Sequence, residues 1–245
     1  MGTIEKVAGL VLTAFDYGES SKILNILTKE YGIIGVISKG CRSSKSNLCS
    51  ISQKLIYGTF HLYYKKDKLS ILKEVDLHNS YGNIRQDIVK ISYVTYLLDL
   101  TTQVSKESNE KKVFDDIINA LNKIDAGFDP VVISLILELR YLNYLGVAPV
   151  INHCALCQTD KSIKTLSVRK GGYLCDACYD GEKIYHPKTI KMIRMFYYVD
   201  VAKITKVNVN QQIKNEIKEF LENYYQDYTG LYLKSKQFLN KIDKL

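Results

Sequence analysis

The residues of this chain best suited to chemistry are four cysteines arranged as two close pairs. Two residues separate the cysteines within each pair, and seventeen residues separate the pairs. A two-residue gap lets both thiolates of a pair turn toward one ion, and two such pairs complete a tetrahedron. The spacing therefore predicts a structural zinc site, closed to water and substrate because four sulfurs fill it. The predicted ligands are Cys154, Cys157, Cys175 and Cys178.

Other chemistries of these cysteines stay open on the sequence alone. Redox-active pairs need a βαβ setting, which the flanking sequence does not show. A rubredoxin-like iron or an iron–sulfur centre uses the same ligands. His153 precedes Cys154 and could replace one sulfur as a ligand. The two remaining cysteines, Cys41 and Cys49, have no partner at ligand spacing and are interpreted as free thiols.

A second candidate site is a small, polar and positively charged loop at residues 38–47. Its glycine and serine amides and its cations suit phosphate oxygens, and lysines of neighbouring segments extend the same surface. Tyr57, Tyr63 and Tyr64 could stack on bases, although tyrosines alternating along a strand are as often packing residues. An exposed loop without a ligand is the alternative interpretation. The predicted nucleic-acid contacts are Lys22, Lys39, Arg42, Lys45, Lys65, Lys66 and Lys68.

The sequence carries no recognisable catalytic signature. It has no glycine-rich phosphate loop, no nucleophile elbow and no paired-carboxylate motif. His61 and His78 are isolated in strand-like segments and are interpreted as structural or surface residues. We therefore predict that the protein is not an enzyme.

The charge of the chain favours a polyanionic partner. Its 245 residues carry a formal net charge of +8, with a sequence pI of about 9.0, and such a balance is typical of nucleic-acid binding. Lysines outnumber arginines 29 to 5. Lysine acts as a point charge for phosphate, whereas arginine more often reads guanine edges, so we expect binding that is indifferent to sequence. A genomic bias toward lysine codons is the alternative explanation.

The positive charge is concentrated toward the two ends of the chain. Residues 1–79 hold 11 basic and 7 acidic side chains, a net charge of +4. Residues 80–150 hold 7 and 9, a net −2, and residues 151–245 hold 16 and 10, a net +6. A uniform lysine bias would not produce the acidic middle, so we predict two separate basic surfaces.

Five short runs rich in Ile, Val and Tyr predict a small β-barrel in the first part of the chain. A polar segment at residues 65–68 joins the last two runs as a hairpin. An OB-fold fits the number, length and charge of these strands, and an SH3-like barrel has the same number. The predicted strands are residues 9–15, 22–28, 33–38, 55–64 and 69–77.

Apolar residues at spacings of three and four predict helices in the rest of the chain. The third of them begins at Asp129-Pro130, ends at Gly146, and is apolar nearly all round, which predicts the buried centre of a bundle. Later helices begin at His186-Pro187 and end at Gly230. The predicted inward face of the first helix comprises Ile84, Ile88, Ile91, Thr95, Leu98 and Thr102.

The predicted fold class is α+β. An N-terminal OB-fold β-barrel over residues 1–79 is followed by an α-helical domain that carries a zinc module with four cysteine ligands. The helical domain is predicted in two parts, residues 80–150 and 186–245, with the zinc module at residues 151–185 between them.

No segment reads as membrane-spanning or as a leader. The most apolar stretch, residues 131–145, is interrupted by polar side chains and is shorter than the about 20 residues that a bilayer requires. The first residues lack the layout of a signal peptide. We expect a cytoplasmic protein without membrane association, and in the cytoplasm cysteines bind metals more often than they form disulfides.

Several motifs, taken in order, resemble the RecO family of bacterial recombination mediators. They are GESSK at residues 18–22, LTKEYG at 27–32, SKGCR at 38–42 and LKSKQF at 233–238. The two cysteine pairs are similar to those of the zinc-bearing members. The family often has a Gln-Pro step after the basic loop, where this chain reads ISQK at residues 51–54, and this difference puts the start of the fourth strand in doubt.

The resemblance implies an OB-fold, a helical domain with a zinc module, and a non-enzymatic role. Members of the family bind single- and double-stranded DNA and anneal complementary strands. They associate with RecR and with single-stranded DNA-binding protein, which lets RecA filaments form on gapped DNA at the bacterial nucleoid. Lys39, Arg42 and Lys45 match the family's basic loop, so the resemblance implies DNA contact there. The rival hypothesis is a zinc-ribbon adaptor whose basic surface binds an acidic protein.

Overall fold

Five strands at the N-terminus of the computed structural model form a closed barrel. The structure describes residues 4–108 and 110–242. The strands follow the order β1-β2-β3-β5-β4 around the barrel, and β4 pairs with β1 to close it. β3 and β5 are parallel, and all other neighbours are antiparallel. The strands are β1 (Ile4–Tyr17), β2 (Ser21–Thr28), β3 (Gly32–Ser38), β4 (Tyr57–Tyr63) and β5 (Ser70–Asn79).

This strand order is that of an OB-fold. In an SH3-like barrel all neighbouring strands are antiparallel, whereas here the ends of β3 and β5 run parallel at Val36 and Ser70. The parallel pairing therefore confirms the OB-fold and removes the SH3-like alternative.

The long first strand contributes to two hydrophobic cores. Val7 and Val11 point into the barrel, while Leu10 and Leu12 belong to the core shared with the helices. An irregularity in the register between Val11 and Thr13 shifts the alternation of side chains, as a β-bulge does. The strand therefore ties the barrel to the helical domain.

The predicted starts of the first and fourth strands were wrong. β1 begins at Ile4 because its first half pairs with β4 and its second half with β2, and such pairing is a tertiary property. β4 begins at Tyr57 and not at residue 55, because Leu55 has a left-handed φ of 71° that interrupts the extended backbone. Leu55 nevertheless stays beside β1, since its N–H donates to the carbonyl of Val11 at 2.9 Å.

The rest of the described chain is mainly helical. α4 packs against α2, α3, α5 and α6, which confirms that it is the buried centre of the bundle. No helix within residues 4–108 and 110–242 is long and apolar enough to cross a membrane. The helices are α1 (Gly82–Arg85), α2 (Ile88–Glu107), α3 (Lys112–Asp125), α4 (Pro130–Tyr144), α5 (Pro187–Tyr198), α6 (Gln211–Tyr228) and α7 (Lys234–Ile242).

The predicted inward face of the first helix was only partly correct. The helix is interrupted after α1. Asp87 caps α2, because its side chain accepts hydrogen bonds from the N–H groups of Val89 and Lys90. Ile88 is 66% exposed, and Thr95 is only half-buried. Ile84 and Leu98 of the predicted face are buried, and Ile91 and Thr102 are half-buried. Because α2 packs against the barrel, α3, α4 and α7, its burial is not confined to one stripe.

A small hairpin lies between α4 and α5 in the chain. It consists of β6 (Ile163–Ser167) and β7 (Gly172–Cys175), followed by a 3₁₀ turn at Asp176–Cys178. The Tyr173 hydroxyl donates to the carbonyl of Ile190 in α5 at 2.5 Å, and the Tyr228 hydroxyl donates to the carbonyl of Val168 at 2.8 Å. These bonds fix the hairpin to α5 and α6.

Candidate metal centre and nucleic-acid interface

The four predicted ligands come together in one cluster. The Sγ atoms of Cys154, Cys157, Cys175 and Cys178 all lie within 4.8 Å of one another, and those of Cys157 and Cys175 are 3.6 Å apart. With metal–sulfur bonds of about 2.3 Å, the sulfurs of a tetrahedral site lie about 3.8 Å apart. The cluster therefore fits a single metal ion with four thiolate ligands.

Backbone turns aim each cysteine pair at the centre. In the first pair, the N–H of Gln158 donates to the carbonyl of Cys154 at 3.0 Å, and Gln158 takes a left-handed φ of 63°. In the second, β7 ends at Cys175 and the 3₁₀ turn brings Cys178 back, while the N–H of Asp176 donates to Ser162 at 3.0 Å. Each two-residue gap is therefore a local turn, as the spacing predicts.

The electrostatics of the cluster call for a cation. Burial of Cys154 opposes its ionisation, but backbone N–H groups, beginning with that of Cys157, outweigh burial and lower the pKa of the Cys154 thiol to about 6. Contact with the Cys157 sulfur, together with burial and the other two sulfurs, raises the pKa of Cys178 to about 12. Four thiolates cannot coexist without positive charge between them, and a metal dication supplies it.

His153 and the two remaining cysteines do not belong to the sulfur cluster. His153 lies outside the sulfur cluster, and its Nδ1 is 3.1 Å from the carbonyl oxygen of Cys154. Cys41 and Cys49 are free, as predicted; Cys41 is buried and Cys49 is exposed. Four sulfurs around one bound ion would complete a tetrahedron and leave no open position for water or substrate.

The hairpin that holds the second cysteine pair depends on the absence of a side chain at Gly172. A Cβ there would lie 2.2 Å from the carbonyl oxygen and 2.7 Å from the nitrogen of Val150, both rigid backbone atoms. We expect Gly172→Ala to destabilise the protein by about 3 kcal/mol, the upper part of the overpacking range, and to accelerate metal loss to a chelator. Gly82→Ala is the control, because a Cβ at Gly82 meets nothing within 4 Å. Equal unfolding and metal-release curves for the two variants would contradict this expectation.

The basic loop after β3 is anchored near its start. Cys41 is 1% exposed beneath it, and the Ser52 hydroxyl donates to that of Ser38 at 2.7 Å within the protein. Lys39 and Lys45 are exposed on this fixed loop. Because the backbone of the loop is already ordered, less conformational entropy is lost when its lysines bind phosphate.

Arg42 differs from the two lysines because it holds the loop itself. Its guanidinium donates to the carbonyl of Gly18 at 3.1 Å and lies 3.4 Å from the Asp16 carboxylate, and its backbone N–H donates to Ser20 at 2.9 Å. These contacts join the loop to the β1–β2 turn. Part of the positive charge predicted for DNA is therefore engaged within the protein.

The remaining predicted cations lie on β2 and on the β4–β5 hairpin. Lys22 is half-buried, and its register partners are Asp16 and Ser38. The hairpin lysines 65, 66 and 68 are exposed, and the hairpin rejoins the barrel beside the middle of β3. The Leu69 side chain there lies 2.9 Å from the position of a Cβ at Gly35.

An apolar row crosses the outer face of the barrel between the two basic segments. Cross-strand register makes its members neighbours in one line. The basic loop leaves β3 just after Ile37, on one side of this line. The β4–β5 hairpin enters β5 just before Ile71 and lies on the other side, since β5 runs parallel to β3. Phe15 is 58% exposed, and the others are half-buried. The outer row comprises Phe15, Ile23, Ile37, Ile71 and Tyr63.

The three candidate stacking tyrosines are occupied to different degrees. Tyr57 packs edge-on against Phe114 of α3, with the ring centroids 6.3 Å apart. Tyr64 stacks on Tyr31 at 4.5 Å. Tyr63, in the outer row, lies beneath the Lys73 ammonium at 4.5 Å. Tyr57 therefore serves the domain junction, and Tyr63 is the one placed on the outer face.

Comparison with known proteins agrees with this architecture. The family model described as Recombination protein O N terminal matches residues 1–81, and the one described as Recombination protein O C terminal matches residues 85–237. The chain belongs to the RecO family. This membership places the protein in DNA repair and recombination.

Individual relatives support the same assignment along the whole chain. DNA repair protein RecO of Bacillus velezensis is 34% identical over 246 residues, covering 99% of this chain and 96% of the relative. The protein of the same name from Bacillus subtilis is 34% identical over 249 residues with the same coverage. That of Bacillus cytotoxicus is 35% identical over 244 residues, covering 98% of each chain.

The basic C-terminal motif of this RecO chain docks within the protein. Lys236 of α7 donates to both carboxylate oxygens of Glu138 at 3.2 and 3.4 Å, and its ammonium lies 4.4 Å from the ring centroid of Tyr96. The Ser235 hydroxyl donates to Asp99 of α2 at 2.6 Å. The motif therefore fastens α7 to α2 and α4, and Lys236 does not add to a basic surface.

Sequence reasoning missed two features of the structure, the outer row and the Lys236–Glu138 ion pair. The outer row, with Phe15 and Lys73 above Tyr63, depends on strand register, which no local pattern reveals. The Lys236–Glu138 pair did have a signal, because an acidic residue inside the nearly all-apolar α4 requires a buried cation as its partner.

Proposed function

We propose that the protein is a non-enzymatic recombination mediator that binds single-stranded DNA on the outer face of its barrel. The observation that carries the proposal is the outer row lying between two basic segments of an OB-fold. OB-folds bind oligonucleotides on the face of strands 2 and 3, with the flanking loops closing over the ligand. In this proposal residues 1–79 bind the nucleic acid.

The chemistry of that face suits a strand of any sequence. Exposed lysines on either side neutralise phosphates, and the apolar row offers a surface on which bases can stack. The cations are lysines apart from Arg42, and lysine does not select a base. Double-stranded DNA meets the same cations through its phosphates alone.

The metal in this proposal is zinc with a structural role. Four thiolates at tetrahedral spacing are a ligand set that zinc takes in closed sites, and the cysteine pairs resemble those of zinc-bearing RecO proteins. The module at residues 151–185 then supports the two helical parts, residues 80–150 and 186–245, and takes no part in chemistry.

The partners in this proposal follow from membership of the family. We infer that the protein anneals complementary strands and acts with RecR and single-stranded DNA-binding protein, so that RecA can load on covered DNA. Such a role belongs at the nucleoid of the bacterial cytoplasm. The sharpest activity test is annealing of complementary oligonucleotides coated with single-stranded DNA-binding protein.

The DNA affinity is expected to fall steeply with salt. If all seven predicted cations contact phosphate, the log–log slope on single-stranded DNA is about −5, from about −0.7 per contact. In Lys39→Ala/Lys45→Ala, two contacts fewer make the slope shallower by about 1.4. Fluorescence anisotropy of a labelled oligonucleotide across a salt series measures both values.

The control replaces exposed cations of the acidic middle segment, as Lys106→Ala/Lys112→Ala. It makes the same change in net charge and is expected to retain the wild-type slope. Arg42→Ala is kept separate, because it also releases the loop from the β1–β2 turn. A wild-type protein that ignores oligonucleotides at physiological salt would refute the proposal and favour the adaptor hypothesis.

A further inference from the structure

The exposed side of α5 carries a row of cations that the barrel does not explain. Ile190, Ile193 and Phe196 bury the inner side of this helix. Three cations spaced by three residues project from its outer side, followed by an exposed methionine and tyrosine. We call this set the α5 face: Lys188, Lys191, Arg194, Met195 and Tyr198.

The α5 face concentrates free positive charge within the basic C-terminal segment. Within the part of the chain that the structure describes, no ion pair is formed by Lys188, Lys191 or Arg194. Most other cations described in residues 151–245 form ion pairs. These paired cations are Lys164, Arg169, Lys183, Lys203, Lys214 and Lys236.

An apolar depression lies among these cations. It has a volume of about 490 Å³ and is lined by Lys191, Arg194, Met195, Tyr198 and Val199. Tyr198 is 55% exposed, and its side chain is held in place because its hydroxyl accepts a hydrogen bond from Asn152 at 2.6 Å. A fixed aromatic ring beside cations is the arrangement with which proteins bind single strands, phosphates on the cations and a base on the ring.

The α5 face is remote from the outer row of the barrel. The barrel packs on α2, α2 packs on α4, and α4 packs on α5. Within the described residues α5 packs mainly on α4, α6 and β6, and the barrel is not among its main contacts. A short strand bound to the barrel therefore leaves the α5 face free.

We propose that the α5 face is a second binding site for single-stranded nucleic acid, occupied while the barrel holds the first strand. The inference rests on the proposed function of the barrel and extends it. Holding two strands on one protein raises their local concentration, and the positive charge screens their mutual repulsion. This is the requirement for annealing.

The test counts strands bound per chain, using the full-length metal-loaded protein. The probe is an oligo-dT of about 12 nucleotides, within the site size of one OB-fold and unable to pair with itself. Lys188→Glu/Lys191→Glu/Arg194→Glu is compared with Lys161→Glu/Lys206→Glu/Lys234→Glu, which makes the same change in charge at exposed positions elsewhere. We expect two strands per chain for the wild type and the control, and one for the α5 variant.

Annealing of complementary oligonucleotides is measured on the same proteins. Loss of three phosphate contacts is expected to slow annealing by the α5 variant at least about tenfold. Tyr198→Ala, which keeps the charge, is expected to weaken second-strand capture without changing the first site.

The outcomes separate this inference from the proposed function. A wild-type protein that binds no strand refutes both. If the wild type binds one strand per chain, or the α5 variant binds two, the inference is overturned and the proposed function stands. A wild type that binds only one strand would indicate an acidic protein segment as the ligand of the α5 face.

Discussion

Cys154→Ser/Cys175→Ser is expected to remove the metal and unfold the module at residues 151–185. These two cysteines are the buried members of the cluster. Structural zinc contributes about 10–16 kcal/mol of apparent binding free energy in zinc-finger peptides, and binding free energy at such a site is folding free energy. Metal analysis should fall from one ion per chain to none, and limited proteolysis should cut within the module.

The barrel should survive this substitution, because its interior core is built from other residues. Single-stranded DNA is therefore expected to bind at the barrel with near wild-type affinity. Cys49→Ser is the matched control, since Cys49 is an exposed free thiol outside the cluster. Retention of one metal ion by the double variant would show that the four sulfurs do not hold it.

Lys236→Met is expected to destabilise the helical domain by about 3–5 kcal/mol, the cost of leaving one member of a buried ion pair without its partner. Glu138 is 2% exposed, and the Lys236 ammonium is the cation that meets both of its carboxylate oxygens. Denaturant unfolding measures the loss, and a thermal midpoint lower by about 6–20 °C accompanies it.

The neighbouring lysine supplies the control for this pair. Lys234→Met removes an exposed cation one position before Ser235 and is expected to change the free energy of unfolding by less than about 0.5 kcal/mol. Lys236→Met/Glu138→Leu removes both charges, and it should recover much of the stability because apolar side chains can replace a buried pair. A double variant as unstable as Lys236→Met would show that packing, and not the unpaired charge, carries the effect.

In the basic segment at residues 151–245, some cations form internal ion pairs and others face solvent. Lys236 and Lys214 serve internal contacts with Glu138 and Asp129. Lys188, Lys191 and Arg194 face solvent. A net charge counts both kinds alike, so it locates a basic segment without locating the basic surface.

Features encoded by short spacings could be predicted from the sequence. The cysteine pairs predicted the sulfur cluster, because a two-residue gap is itself a turn that aims both thiolates one way. Asp129-Pro130 and Gly146 predicted the ends of α4, and Asp129 does accept a hydrogen bond from Val131.

The sequence by itself therefore determined the four-cysteine cluster, the five-strand barrel class and the central helix, since local backbone geometry and burial periodicity decide each of them. Tertiary structure alone decided which side of α2 meets solvent, where β1 and β4 begin, which lysines are neutralised, and that Phe15, Ile23 and Ile37 form one row. The physical reason is the same in each case. Register, packing on several sides and ion pairing join residues far apart in the chain, and no local pattern of charge or hydrophobicity records which distant residue will be the partner.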